Sequence, residues 1–586
     1  MPDAALLTTP GGLLLPLSVL VPFAGVLAGF ALGGRNAQRV ATVTIVAGIG
    51  LALAIAAATL RSGGELVYLL GGWTPPLGIA LRADGPSVVM IVAVAVVIGG
   101  IGLYARGDFG TPAGVREARA PFMYWLLLLA VWGSLNLVFT SGDLFTLYVA
   151  LELLTFAGVP LVCLDGKGET LRSALRYLLY ALAGSVLYLL GAVLLYGECG
   201  TLDVALLAQC VQPGPVTWTA AALMTTGLLA KTALFPLHLW LPPAHAGAPP
   251  AASAVLSALV VKGSFFIVVR LWFDAMPGLP GFTAAQLLAG LGAAAILVGN
   301  VVALRQERLK LLIAYSTLAQ IGYLFMMFPL AFDAATGAFA HGDALAGGML
   351  QAVSHATAKA AMFMAAGLIY TTLGHDRIAE LAGAARLVPL SVLAFALGGV
   401  ALTGAVPSGA YLAKKLLLGA ADGTGQWWWA LVLQTGGLFT TGYVLLVLAH
   451  AFRSPAAAIA PRARVRRLQE AAALALALCS LLLALAATEA GPLPGELLGN
   501  PLSAKELPWL LLTVAGGAAL ALALGRRLPD FAAGAALAAI GSPIRRATVA
   551  LGGLFERGDA LLRRWHVAGV SLLALALLFG AAMRAG

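Results

Sequence analysis

The chain has 586 residues, 61% of them hydrophobic and only 10% charged, and it carries a formal charge of +10. No water-soluble core needs that ratio. The basic excess would suit nucleic acid, but its placement along the chain assigns it to membrane topology instead, so no nucleic-acid partner is expected.

Apolar runs of about 20 residues, the length that crosses a bilayer as a helix, recur from end to end. The fold class expected is an all-α polytopic membrane protein with about 16 transmembrane helices. They begin near Leu13, Arg39, Gly85, Phe122, Asp143, Arg172, Trp218, Ala252, Phe282, Leu309, Gly347, Val388, Trp427, Glu470, Pro508 and His566. The first run follows Asp3 with no basic residue before it and reads as a span, not a cleaved signal peptide. Most of the 35 Lys and Arg fall in loops after odd-numbered spans. Examples are Arg35 and Arg39, Arg305, Arg308 and Lys310, and the groups around Arg453–Arg467 and Arg526–Arg564. The positive-inside rule then places these loops in the cytoplasm and both termini outside a cell inner (plasma) membrane.

Cys163, Cys199, Cys210 and Cys479 are scattered without a CxxC. No iron–sulfur cluster or zinc site is expected on that spacing. A phosphate-binding Gly-rich loop and HExxH are also lacking. The expectation is no cofactor, no metal and no catalytic residue on this chain.

Residues 66–84, mixing Gly, Pro and apolar residues, read as an extended hairpin on the outer surface. Of the 25 Asp and Glu, only Glu152 sits in mid-span. One reading of it is a protonated carboxyl capping a neighbour's backbone; the other is an acid that takes and gives protons. Span 6 is rich in small residues suited to close packing. Span 7 carries Lys231 and breaks at Pro236, which removes a backbone donor and opens the preceding turn. His238 follows as a partner for the broken backbone or a proton carrier, and His245 reads as structural. Lys262 lies in span 8. Lysine at bilayer depth costs about 2.5–3.5 kcal/mol on insertion scales. Broken backbone there survives only where protein or a water-filled cavity satisfies it. The stretch Leu228–Arg270 combines both features.

The charged cluster between spans 9 and 10 reads as a solvated turn. In span 11, His355 and Lys359 are four apart and share a helix face. Span 12 breaks around Pro407, and Lys414 follows, with Lys415 pointing elsewhere. Spans 4–8 and 9–13 thus share a layout of five helices with a broken, lysine-bearing fourth. An odd number of helices per unit makes the second copy inverted, a transporter design. The chain divides into an N-terminal region 1–120, a first half-channel repeat 121–275, a second 276–452, and a C-terminal region 453–586. The last holds a basic segment that is a surface amphipathic helix or a linker.

The segments LYVALELLTF, AKTALFPLHLWLPPAHAGAP, LVVKG, RLKLLIAYSTLAQIGY, SHATAKAAMFMAAGLIY and PSGAYLAKKLLL together resemble the antiporter-like membrane subunits of respiratory complex I, Mrp-type antiporters and membrane-bound hydrogenases. The resemblance spans roughly residues 66–450. It implies a core of two inverted five-helix half-channels. It also implies a Glu152–Lys231 pair, a polar axis through Lys262, His355 and Lys359, and an outlet at Lys414. It differs where the family often has Asp and Glu: Pro243 and Gly247 stand there. VPSGAY likewise replaces the usual PPTAGF or PPSGGF. The function expected is proton translocation within a larger complex, with other membrane subunits, the lipid bilayer and possible redox (iron–sulfur or flavin) subunits as partners. A self-sufficient cation/proton antiporter and an inactive membrane scaffold are the alternatives.

Overall fold

The structure is a computed structural model describing residues 8–112, 114–455, 460–489, 506–524 and 534–586. Asp3, Lys505, Arg526, Arg527 and Pro529 lie outside the described residues. Each apolar run becomes one membrane-crossing helix or a broken pair, because in hydrocarbon only a helix satisfies its own backbone. Thirteen helices among the described residues are long and apolar enough to cross a bilayer. Spans 1–6 are Leu14–Leu32, Gly34–Ser62, Gly85–Asp108, Arg119–Thr140, Leu144–Val162 and Gly168–Cys199. Spans 8–11 are Pro250–Ala275, Gly281–Leu304, Leu309–Leu330 and Asp343–Leu373. Spans 13, 14 and 16 are Trp427–Ala451, Arg467–Glu489 and Trp565–Arg584. Span 15 is the shorter Glu506–Leu524. Spans 7 and 12 are broken, into Pro215–Thr232 with Leu241–Gly247 and Pro389–Thr403 with Gly409–Gly423. The sixteen spans found among the described residues agree with the sequence reading.

Local chemistry sets the helix ends. Asp143 accepts the Thr146 N–H at 2.7 Å, and Ser408 accepts that of Tyr411 at 3.1 Å, each satisfying a donor the helix leaves open. The first half of span 12 ends at Gly404 (φ 82°), the first half of span 7 at Ala233 (φ 59°). Left-handed backbone costs a non-glycine residue about 1–2 kcal/mol. The hairpin is present as antiparallel strands Leu66–Leu69 and Ala80–Ala83, with Leu66 opposite Ala83.

The best-buried helices are spans 8 and 11, whose most apolar windows are 100% buried, against 33% for spans 1 and 2. Lys262, His355 and Lys359 therefore face protein and not lipid. Spans 6 and 7 touch backbone to backbone, because a Cβ on Gly184 would meet the Gly227 carbonyl at 2.6 Å. The C-terminal region folds back on the core. Span 14 packs on span 11, on the first half of span 12 and on span 3. Span 15 lies on span 13. The helix Gly534–Leu562 then runs back, and span 16 docks against spans 7 and 9. At about 1.5 Å per residue, the 29 residues of that helix reach roughly 43 Å.

One bond was not anticipated and one expectation changes. Cys199 and Cys210 form a disulfide between the end of span 6 and the short helix Val204–Cys210. Their pairing depends on how the chain turns after Gly200, which spacing does not reveal. The cluster between spans 9 and 10 is not a solvated turn throughout. Lys310 is 8% exposed and donates to the Ala248 carbonyl at 2.5 Å, and Arg305 is buried against Glu556.

Candidate functional site

Span 5 carries Glu152 to the last turn of the first half of span 7. There the Lys231 ammonium lies 3.0 Å from Glu152 Oε1. Ser185 of span 6 bridges them, donating to Glu152 and accepting from Lys231. Lys231 also reaches the Leu151 carbonyl at 3.4 Å. The close approach of spans 6 and 7 makes this geometry, since a Cβ at Gly184 would lie 3.3 Å from Lys231 Cγ. The C-terminal end of a helix carries partial negative charge that favours a cation. The Glu152 side chain is 14% exposed and that of Lys231 6%. The acid thus sits at the rim of the pair and the base inside it, and Glu152 is an ion-pair partner and not a backbone cap.

Hydroxyls continue from this pair. Thr232, next to Lys231, donates to Ser264 of span 8 at 2.8 Å. Span 8 widens into a π-turn over Leu256–Val260, a feature that frees backbone groups and recurs at functional sites. Lys262 donates to the Ser257 carbonyl at 2.7 Å there. Its Nζ also lies 2.8 Å from His355 Nδ1 on span 11, joining residues 93 apart in sequence. Ser257 Oγ and Thr317 Oγ1 of span 10 are 2.8 Å apart. The neighbouring Ser316 accepts from Lys359. Lys359 also faces the Tyr443 ring at 6.0 Å. Two turns back along span 11, Gln351 donates to Gln320 at 2.8 Å. Gln351, Tyr323, Gly404, Gly437 and Lys414 line a small cavity of about 20 Å³.

The structure therefore joins Glu152 to Lys231 and Lys262 to His355, sets Lys359 on Ser316 next to the Ser257–Thr317 contact, and puts Lys414 at the cavity that Gln351 also lines; these six residues are the candidate line. His355 and Lys359 diverge, the first toward span 8 and the second toward span 10. Lys415 lies over the ring of Tyr411 at 6.0 Å, off the line. Pro236 and Pro407 stand at the two breaks, each after a cis peptide bond. His245 is fully buried, its ring stacked on Phe363 at 4.8 Å, with no protein partner at either ring nitrogen among the described residues. His238 meets neither the broken backbone nor the line: its Nε2 lies 2.7 Å from Asp559 of the C-terminal helix. Sequence reasoning missed Ser185, Ser316 and Asp559. The hydroxyls carry no signal beyond being polar in a span. Asp559 stands out only as an acid four residues before Arg563 in a basic segment.

A polytopic helical protein with two broken spans and a buried file of lysines, one glutamate and one histidine belongs to the class of membrane proteins that move ions. Residues 141–440 match the family described as NADH:quinone oxidoreductase/Mrp antiporter, TM. The chain belongs to this family. It is 34% identical over 425 residues to NADH-quinone oxidoreductase subunit N of Desulforudis audaxviator, covering 71% of this chain and 81% of that one. It is 28% identical over 444 residues to a Na(+)/H(+) antiporter subunit of Alkalihalophilus pseudofirmus, covering 74% and 86%. Its fold is shared with a chain of the Mrp complex of Dietzia sp. DQ12-45-1b, with a TM-score of 0.69 and 24% identity over 86% of this chain and 97% of that one. A chain of a membrane-bound sulfane sulfur reductase, an archaeal respiratory complex, gives a TM-score of 0.68 and 23% identity over 87% and 97%.

Proposed function

We propose that this chain is a proton-translocating membrane subunit of a larger complex, carrying protons through two half-channels joined by the buried line. The observation that carries this reading is the Glu152–Lys231 ion pair together with Lys262, His355 and Lys359 on two helices whose most apolar windows are wholly buried. Unused charge at that depth would only cost stability. Two unit charges about 4 Å apart attract by about 4 kcal/mol at an effective dielectric near 20. Moving Glu152 away from Lys231 withdraws that support, and the ammonium releases its proton along the line toward Lys262. Lys414 serves the outlet. Each step moves a proton between nitrogen and oxygen atoms, so the driving reaction belongs to partners.

Membership of a family whose relatives are subunits of NADH-quinone oxidoreductase and Na(+)/H(+) antiporters supports other membrane subunits as those partners. The partly exposed Glu152 at the flank supports a neighbour there. Redox subunits bearing iron–sulfur or flavin groups are the partners expected if electron transfer drives the chain. The named antiporter relative favours a second reading, a cation/proton antiporter driven by an ion gradient. The location is the cell inner membrane, with both termini outside. The Cys199–Cys210 disulfide supports this orientation: it sits after span 6, on the side that the basic loops leave for the exterior, where disulfides persist.

The test is Lys231→Ala in the full chain, purified with its companions and reconstituted in liposomes. Proton flux under an imposed potential is expected to vanish while the protein still inserts. Wild-type flux in that variant would overturn the proposal. Mass spectrometry of the companions separates the redox-driven from the gradient-driven reading.

A further inference from the structure

Asp559 belongs to the C-terminal helix Gly534–Leu562, yet it is only 3% exposed. A buried aspartate needs partners, and this one has three. Oδ1 lies 2.7 Å from His238 Nε2. Oδ2 accepts from the Tyr315 hydroxyl at 2.7 Å and from Arg563 Nε at 2.8 Å. Arg305, at the end of span 9, holds Glu556 of the same helix at 3.2 Å. The helix is thus tied to the core just before the chain turns into span 16. His238 is wholly buried two residues after Pro236, its ring over Phe235 at 5.4 Å. Its other nitrogen, Nδ1, is buried with no protein partner among the described residues. Asp559 therefore occupies one ring nitrogen and leaves the opposite one for exchange.

We propose that Asp559 is a positioning residue for proton uptake: the C-terminal helix delivers its carboxylate, in the same chain, to orient His238 and to balance its imidazolium, so that His238 takes up a proton at the first break. This rests on the proton-carrying reading of Lys231. The carboxylate accepts the Nε2–H bond and fixes the tautomer, leaving Nδ1 to receive a proton. The imidazolium that forms is balanced by Asp559. It gives that proton up again from Nδ1. The Nδ1–H bond forms as an O–H bond of water or hydronium breaks, and it breaks again when the proton is handed on. The charged and titratable groups around the ring are Asp559, Tyr315 and Arg563, with Glu556 beyond them held by Arg305. Burial pushes the Asp559 carboxyl up, but the His238 bond and charge, Arg563 and Tyr315 outweigh it and hold it below the usual carboxylate range. It is thus an acceptor at working pH.

The experiment measures proton uptake by the full chain, purified with its companions and reconstituted with a pH-sensitive dye, from about pH 5.5 to 8.5. Asp559→Asn is expected to lower the neutral-pH rate roughly tenfold or more and to move the midpoint of the rate–pH profile down by about one unit. Asp559→Glu is expected to recover much of both. The His238→Gln, Asp559→Asn double variant is expected to be no worse than His238→Gln alone. An unmoved midpoint in Asp559→Asn, whatever its rate, overturns the proposal and leaves Asp559 as an anchor. If Asp559→Asn fails to insert, His238→Gln decides, and a wild-type profile there overturns the proposal. Lys231→Ala is run alongside. Persistent flux in it would overturn the underlying proton-carrying reading instead.

Discussion

The two broken spans place their lysines at opposite ends of a helix dipole. Lys231 stands in the last turn of Pro215–Thr232, where the partial negative charge of the helix end favours its ammonium. Lys414 stands in the second turn of Gly409–Gly423, near a positive end. The first half adds a carboxylate, Glu152, on span 5. At the matching place in the second half, span 10 supplies Ser316, Thr317 and Gln320. The breaks are also closed differently. The polar Asp559 meets His238 after the first, whereas span 14 covers the second with Leu483 against Gly409 and with Ala484 donating to the Pro407 carbonyl at 3.3 Å. A repeat that is symmetric in layout is thus asymmetric in electrostatics. In the proposed scheme, the first half holds a proton and the second lets it go.

The largest effect expected from breaking this asymmetry is at Glu152. Glu152→Gln leaves the Lys231 charge buried without its acid, and breaking such a pair costs about 3–5 kcal/mol. Flux in liposomes should fall by more than roughly tenfold, and a near-wild-type rate would mean that the pair does not hold the proton. Next is the helix contact behind the pair. A Cβ at Gly184 would meet the Gly227 carbonyl at 2.6 Å, whereas one at Gly347 in the second half would sit 3.0 Å from the Ala413 carbonyl. Gly184→Ala is expected to destabilise the purified protein by about 1–3 kcal/mol in thermal unfolding, and Gly347→Ala by less. Equal losses would remove the distinction.

Backbone strain gives a smaller contrast. Gly404→Ala should cost about 1 kcal/mol in the same assay, while Ala233→Gly should gain about that much, less the added chain entropy. The smallest effect concerns pH. A carboxyl held below its usual range contributes stability that is fully present above its unfolded value of about 3.9 and is lost as pH falls through the lower folded value. The contribution of Asp559 should therefore be level from neutral pH down to about 5. Hydrogen exchange of residues 546–562, corrected for the intrinsic pH effect, should show unchanged protection over that range. A loss of protection between about pH 5 and 6 would show that Asp559 is not the ionised member of the latch.

Much of the site was legible in the sequence. Glu152, Lys231, Lys262 and Lys359 each stand as a charge in an apolar run of helical length, and the cost of placing one there makes it conspicuous. The Pro236 and Pro407 breaks were legible because proline removes a backbone donor wherever it stands. What each charge touches was not. Lys262 meets His355 across 93 residues and His238 meets Asp559 across 321. Ser185 gains meaning only because Gly184 lets spans 6 and 7 come together.

The sequence by itself determined the sixteen spans, their breaks and the buried charges, because transfer into hydrocarbon is summed over about 20 consecutive residues and is a local quantity. Only the tertiary structure decided the Cys199–Cys210 bond, the burial of Lys310 and the return of the C-terminal helix to His238. Those depend on which helix faces meet, and that is set by packing between segments far apart in the chain.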